Sequence, residues 1–88
     1  MNYTPALSRE SQRDLRQSST AVRARLTRRI QQLPADPFAT NISKALHGPL
    51  EGMRSSRVGE LRIIYEVVQD RLVISVIRIG PRGDIYRG

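Results

Sequence analysis

The sequence predicts an α+β fold in which an N-terminal strand and a two-helix hairpin precede antiparallel strands, the helices covering one face of the small sheet. Three observations predict it. Val22, Leu26, Ile30 and Leu33 recur at spacings of four, four and three, one apolar stripe at helical period. Residues 60–68 and 72–79 are rich in branched side chains and read as a hairpin of two long strands. The helical pattern stands wholly before the strand pattern, with no repeat, low-complexity tract or linker between them. The chain from 1 to 88 is therefore expected to be a single domain.

Taken in order, residues 2–7 form a short strand, and Pro5 confines it to an edge because proline cannot donate to a central ladder. Ser8 reads as the cap of a first helix through Arg16. That helix is weakly amphipathic, with only Leu15 and the small Ser11 available for an inner face. Ser18-Ser19-Thr20 breaks it from the stronger second helix, on which Arg23, Arg25, Arg28 and Arg29 are expected to form a solvated face. Pro34 and Pro37 end that helix, and a loop is expected from Phe38 to Gly48. A short strand over residues 53–58 turns at Gly59 into the next one. There Leu61, Ile63, Tyr65 and Val67 share the face expected to be core, and Arg62, Ile64, Glu66 and Val68 share the other. Gln69-Asp70-Arg71 turns the chain, Gly80-Pro81 closes the last long strand, and Asp84-Ile85-Tyr86 is read as a short extended tail. The face of the sheet away from the helices is expected to stay open and to carry charge.

Composition narrows the function. Fifteen basic residues against eight acidic ones give a net charge of +7 on 88 residues. Such a balance points to nucleic acid, an acidic protein or an anionic membrane as partner. All the basic residues except Lys44 are arginines. The planar guanidinium fork fits phosphate oxygens, although a GC-rich coding sequence produces the same bias. Cysteine is absent and His47 is the single histidine, so neither a disulfide framework nor an ordinary His/Cys zinc centre is expected. Residues 1–5 hold no apolar run, so no secretory signal is expected. The apolar stretches are strand-length, far short of the ~20 residues that span a bilayer. A soluble, cytoplasmic protein without cofactor, metal or membrane attachment is the expectation.

Leu46-His47-Gly48-Pro49-Leu50-Glu51-Gly52-Met53, Arg57-Val58-Gly59-Glu60-Leu61-Arg62-Ile63-Ile64-Tyr65-Glu66-Val67 and Ile77-Arg78-Ile79-Gly80-Pro81-Arg82-Gly83-Asp84-Ile85-Tyr86 together resemble the RelE/ParE toxin superfamily. The Arg-x-Gly-x-x-Arg run into an apolar-Tyr strand is the most specific part, and Gly-Pro-Arg followed closely by Ile-Tyr adds to it. The resemblance reaches nearly the whole chain. It implies the toxin of a type II toxin–antitoxin system, a RelE-like, metal-independent endoribonuclease that cuts messenger RNA in the ribosome and inhibits translation. It also implies a cognate, RelB-like antitoxin in a hetero-oligomer. Carried over by position, Arg62 matches the strand arginine that contacts the phosphate. Arg82 matches the arginine that serves the scissile phosphate and leaving oxygen, and Tyr86 the tyrosine that orients or deprotonates the 2′-hydroxyl. Arg57 matches a basic position on the groove edge; Arg54, Arg78, Lys44 and Arg87 are further candidates for RNA contact, and the Arg23, Arg25, Arg28 and Arg29 face, if not simply solvated, is one that ribosomal RNA would meet.

Those roles make physical sense. Internal cleavage of RNA builds extra negative charge on a five-coordinate phosphorus, which fixed guanidinium groups can stabilise. Arginine does not readily give up a proton near neutral pH and free tyrosine titrates at about 10, so neither is a ready general acid or base. Holding the 2′-oxygen in line with the phosphorus can supply up to about 7–11 kcal/mol in favourable systems. Hence the expected dependence on a ribosome that positions the substrate.

The sequence also departs from the pattern. The best-studied members carry two lysines on the strand before Arg57, where Met53 and Ser55 stand here, and no histidine or glutamate pair lies near the carboxyl end. By strand alternation Arg54 points away from its neighbours' face. No extra terminal helix is expected beyond Gly88. On spacing alone Arg62 reads as an exposed strand residue paired with Glu66 or another acid, Arg82 as a solvated loop charge, Tyr86 as a ring against the sheet edge, and His47 as a loop residue. Two other functions share this fold: a ParE-like gyrase poison without nuclease activity, and an inactive homologue that only binds antitoxin.

Overall fold

Two serines turn extended chain into helix. In the computed structural model, which describes residues 2–81, the Ser8 hydroxyl accepts from the Ser11 amide at 3.0 Å and the Ser19 hydroxyl from the Val22 amide at 3.2 Å. Each bond satisfies one of the amides that a helix start leaves without a partner. Strand β1 (Thr4–Leu7) precedes Ser8, α1 (Arg9–Arg16) follows it, and α2 (Thr20–Gln32) follows Ser19. The chain then forms β2 (Lys44–Ala45), a 3-10 turn (Gly48–Leu50), β3 (Arg54–Val58), β4 (Leu61–Val68) and β5 (Val73–Pro81). Met1 and residues 82–88, with the expected extended tail at 84–86, lie outside the described residues. No helix among the described residues is long and apolar enough to cross a membrane.

The sheet has five strands in the order β1-β5-β4-β3-β2. β2 through β5 pair antiparallel, whereas β1 lies parallel to β5, with Thr4 beside Val73 and Leu7 beside Val76. The sheet is therefore mixed. Pro5 sits on the edge strand as its chemistry requires. Leu26, Ile30 and Leu33 of α2 are buried against Ile63, Tyr65, Ile74, Val76 and Ile79, and Val22, Leu61 and Val67 pack at the margin. The stripe on α2 and the expected inner face of β4 are thus the two halves of one core.

The polar character of α1 has a structural cause. β1 pairs with β5 only as far as Val76. Beyond that point β5 carries a bulge, because Tyr65 faces Val76 and Ile64 faces Arg78, leaving Ile77 without an opposite number. The α1 side of the edge is closed by side chains. Ser8 Oγ donates to the Ile77 carbonyl at 2.7 Å, Ser11 Oγ to the Val76 carbonyl at 3.2 Å, and the Ile79 amide donates to Asp14 Oδ2 at 2.8 Å. An open sheet edge is a liability, and α1 covers this one with hydroxyls and a carboxylate. Its inner face is polar because it meets backbone.

Four expectations need correction. β2 lies inside the expected Phe38–Gly48 loop; a pair of two residues, Lys44 with Ser55 and Ala45 with Arg54, is too short to leave a pattern. The last strand starts at Val73, since Leu72 has φ of 54° and belongs to the turn, and it runs on through Pro81. The far face of the sheet is not wholly open: Leu46 and Ile64 are buried together there, with Leu50 and Met53 packed on them. Finally, two of the α2 arginines are not simply solvated. Arg23 donates to the carbonyls of Leu15, Arg16 and Ser18, closing the C-terminal end of α1, and Arg29 Nη1 donates at 2.8 Å to both Ser56 Oγ and the Arg57 carbonyl, tying α2 to β3.

Candidate functional site

What stays open on the sheet is an end of β3 and β4. A cleft of about 280 Å³ lies there, lined among others by Arg29, Lys44, Arg57, Arg62, Ser43 and Ser55. Among its described lining residues four are cations and none is an acid.

Local pairing builds the cleft. The Gly59 turn, with φ of 61°, reverses the chain within two residues and sets Val58 beside Leu61. The next pair up the ladder is Arg57 with Arg62. Like charges directly opposite each other destabilise a sheet, and no described carboxylate offsets this pair. Arg57 Nε donates to the Gly59 carbonyl at 2.9 Å. Arg62 is half-buried and makes no hydrogen bond or ion pair with a described residue; the ion pair found among those residues is Arg78 with Asp14. The pairing of Arg62 with Glu66 that spacing alone allows is therefore absent.

Two rungs further, Lys44 of β2 stands opposite Ser55 of β3. Ser55 is only 2% exposed and its hydroxyl has no partner among the described residues. A buried hydroxyl without a partner costs about 1–3 kcal/mol, and this one sits in the wall of a cationic cleft.

The candidates from sequence divide into three groups. Arg57, Arg62 and Lys44 share the cleft. Arg54 and Arg78 do not line it. Arg54 falls opposite Tyr65, donates from Nε to Ser43 Oγ at 2.7 Å and lies 5.3 Å from the Phe38 ring centroid. Arg78 turns to α1, donating from Nε to Asp14 Oδ2 at 3.1 Å. Arg82, Tyr86 and Arg87 lie outside the described residues. Of the two residues in place of the family lysines, Ser55 lines the cleft and Met53 packs on the Ile64 cluster. His47 is an exposed loop residue ahead of the 3-10 turn.

Arg29 and the Lys44–Ser55 opposition were not legible as site features. Arg29 reaches the cleft through a contact 27 residues away in sequence, and Lys44, itself a candidate from the sequence, meets Ser55 through a strand of two residues; neither contact leaves a local signal.

The family model for the ParE toxin of the type II toxin–antitoxin system parDE matches residues 6–86. The chain belongs to the RelE/ParE toxin superfamily. This toxin is 27% identical over 88 residues to Toxin RelG of Mycobacterium tuberculosis, covering 99% of each chain. Its fold superimposes on the toxin–antitoxin complex RelBE2 of the same organism with a TM-score of 0.84, at 23% identity and covering 93% of this chain and 100% of that one. A mutant of the Escherichia coli toxin RelE in the free state gives a TM-score of 0.82 at 19% identity, over 99% of this chain and 93% of that one. The RelE–RelB complex of Pyrococcus horikoshii gives 0.79 at 24% identity, over 94% and 98%. Identities this low show a common fold.

Proposed function

We propose that this toxin is a metal-independent endoribonuclease that cuts messenger RNA held by the ribosome and so stops translation. The observation that carries the reading is the Arg57–Arg62 pair: two arginines directly opposite on adjacent strands, both lining a cleft whose described residues include Lys44 and Arg29 and no acid. Such an arrangement costs stability in the free protein and is useful once a phosphate enters. The unpartnered Ser55 hydroxyl in the same wall gives a phosphate oxygen a donor.

The chemistry follows from those groups. The 2′-oxygen of one nucleotide attacks the adjacent phosphorus; the O2′–P bond forms as the P–O5′ bond breaks. The 2′-hydroxyl proton leaves to a base, a proton is delivered to O5′, and the products are a 2′,3′-cyclic phosphate and a free 5′-hydroxyl. Arg62 and Arg57 stabilise the charge on the five-coordinate phosphorus. Arg82 follows Gly80 by two positions in sequence, and Gly80 pairs with Arg62. Arg82 is assigned to the scissile phosphate and leaving oxygen and Tyr86 to the 2′-hydroxyl, as the family resemblance implies. Lys44, opposite Ser55, offers an ammonium on the strand next to the one that bears the family's lysines. No histidine or carboxylate stands among these groups, so alignment by the ribosome supplies most of the acceleration.

The RelBE2 and RelE–RelB relatives are solved as complexes with antitoxins. A RelB-like antitoxin with an acidic or amphipathic segment lying over the cationic cleft is the partner that charge complementarity favours, and the site of action is the cytoplasm. One observation favours a second reading: the matching family model describes a parDE toxin, and a ParE-like toxin would poison gyrase without cutting RNA. Induction in growing cells separates the two. The nuclease stops amino-acid incorporation within minutes and leaves DNA intact; a gyrase poison breaks DNA and produces filaments while translation continues.

A further inference from the structure

Phe38 is the exposed large apolar side chain among the described residues, with 39% of its surface open. A single exposed apolar residue is ordinary. The way this one is held is not. Its amide donates to Asp36 Oδ1 at 3.2 Å, and the Pro37 carbonyl just before it accepts from the hydroxyl of the fully buried Tyr65 at 2.7 Å. Because Tyr65 spends its one proton on Pro37, Ser43 donates its own to the Tyr65 oxygen, and Arg54 Nε donates to Ser43 Oγ. The chain Arg54–Ser43–Tyr65–Pro37 thus anchors a guanidinium over the Phe38 ring from a core residue outward. Ser43 also lines the Arg57–Arg62 cleft, so ring and cleft are neighbours through a shared side chain.

We propose that Phe38 and Arg54 form a stacking platform for a nucleobase next to the phosphate held in the cleft. The proposal rests on the ribonuclease reading of the cleft and extends it from the phosphate to a base. Single-stranded RNA is gripped by a cationic groove flanked by aromatic faces, and any base offers a π-face to ring and guanidinium alike. An apolar protein side chain would gain little from a guanidinium laid on the ring, whereas a base gains from both. Arg54, a candidate for RNA contact from the sequence, acts on the base side of the site.

Binding of short 2′-O-methyl oligoribonucleotides, which the toxin cannot cleave, tests this by fluorescence anisotropy on purified toxin. F38A and F38L should each weaken binding roughly five- to a hundred-fold, with thermal melts showing both folded. F38W should retain binding, and because the natural chain has no tryptophan its emission should be quenched as RNA binds. Replacing the base at one position with an abasic unit should remove the F38A penalty and leave the R62A penalty in place. Wild-type affinity in F38A, beside lost affinity in R62A, overturns the platform and leaves the cleft reading standing. So does an F38A defect confined to antitoxin binding, which would make Phe38 a protein contact. Wild-type toxin that binds RNA no better than R62A overturns both.

Discussion

Arg57 and Arg62 stand directly opposite each other on adjacent antiparallel strands, with no described carboxylate to offset them. Cross-strand like charges cost a few tenths to about 1 kcal/mol. The cost marks a site where stability gives way to binding. Arg62→Ala should therefore leave the melting temperature unchanged or raise it slightly at low salt, while cleavage of ribosome-bound message falls by at least about a hundredfold. Thermal melting and a single-turnover cleavage assay check the two halves. A clear loss of stability with cleavage intact would make Arg62 a structural residue.

Arg82 follows Gly80 by two residues, and Gly80 is the cross-strand partner of Arg62. Arg82→Ala should abolish message cleavage with an unchanged circular dichroism spectrum and denaturation midpoint. Full translational arrest by the R82A protein would remove Arg82 from the site.

Asp14 joins α1 to the free stretch of β5 through the Ile79 amide and the Arg78 guanidinium. Asp14→Ala leaves the Ile79 amide without its partner, and about 1–3 kcal/mol of stability should be lost. Urea denaturation at neutral pH measures it. A change below a few tenths of a kcal/mol would mean water replaces the carboxylate freely and α1 does not close that edge.

Gly59 is required for its backbone. At φ of 61° an L-residue loses roughly 1–2 kcal/mol. A Cβ there would also meet the Arg25 guanidinium at 3.2 Å, the far end of a side chain that can move aside. Gly59→Ala should thus destabilise by the backbone term, and the double variant G59A/R25A should recover little of it. Full recovery in the double variant would show that the contact, not the backbone, sets the requirement.

How much of this was legible in the sequence depends on the range of the interaction. The α2 stripe, the serine caps, the Gly59 turn and the core placement of Tyr65 all follow from patterns a few residues long, and the structure shows them. The parallel pairing of β1 with β5 joins residues nearly seventy positions apart and leaves no local trace. The weak amphipathicity of α1 was visible, but its cause was not, because the edge it covers lies on β5. At the site, alternation set Arg54 on the opposite face from Ser55, and in the structure Ser55 lines the cleft while Arg54 falls opposite Tyr65. It could not show that Arg62 faces an arginine rather than an acid, because that depends on the register of β3 against β4. Nor could it show the contact of Arg78, which follows the bulge at Ile77 and donates to Asp14 of α1.

The central claim is that the cationic cleft acts on a single linkage of a message in the ribosome. Primer extension on one abundant transcript, a few minutes after induction, tests it most directly. Wild-type toxin should leave discrete new 5′ ends within the translated region, absent in R62A and R82A. Unbroken transcripts together with fragmented chromosomal DNA would contradict it and assign the same fold to gyrase.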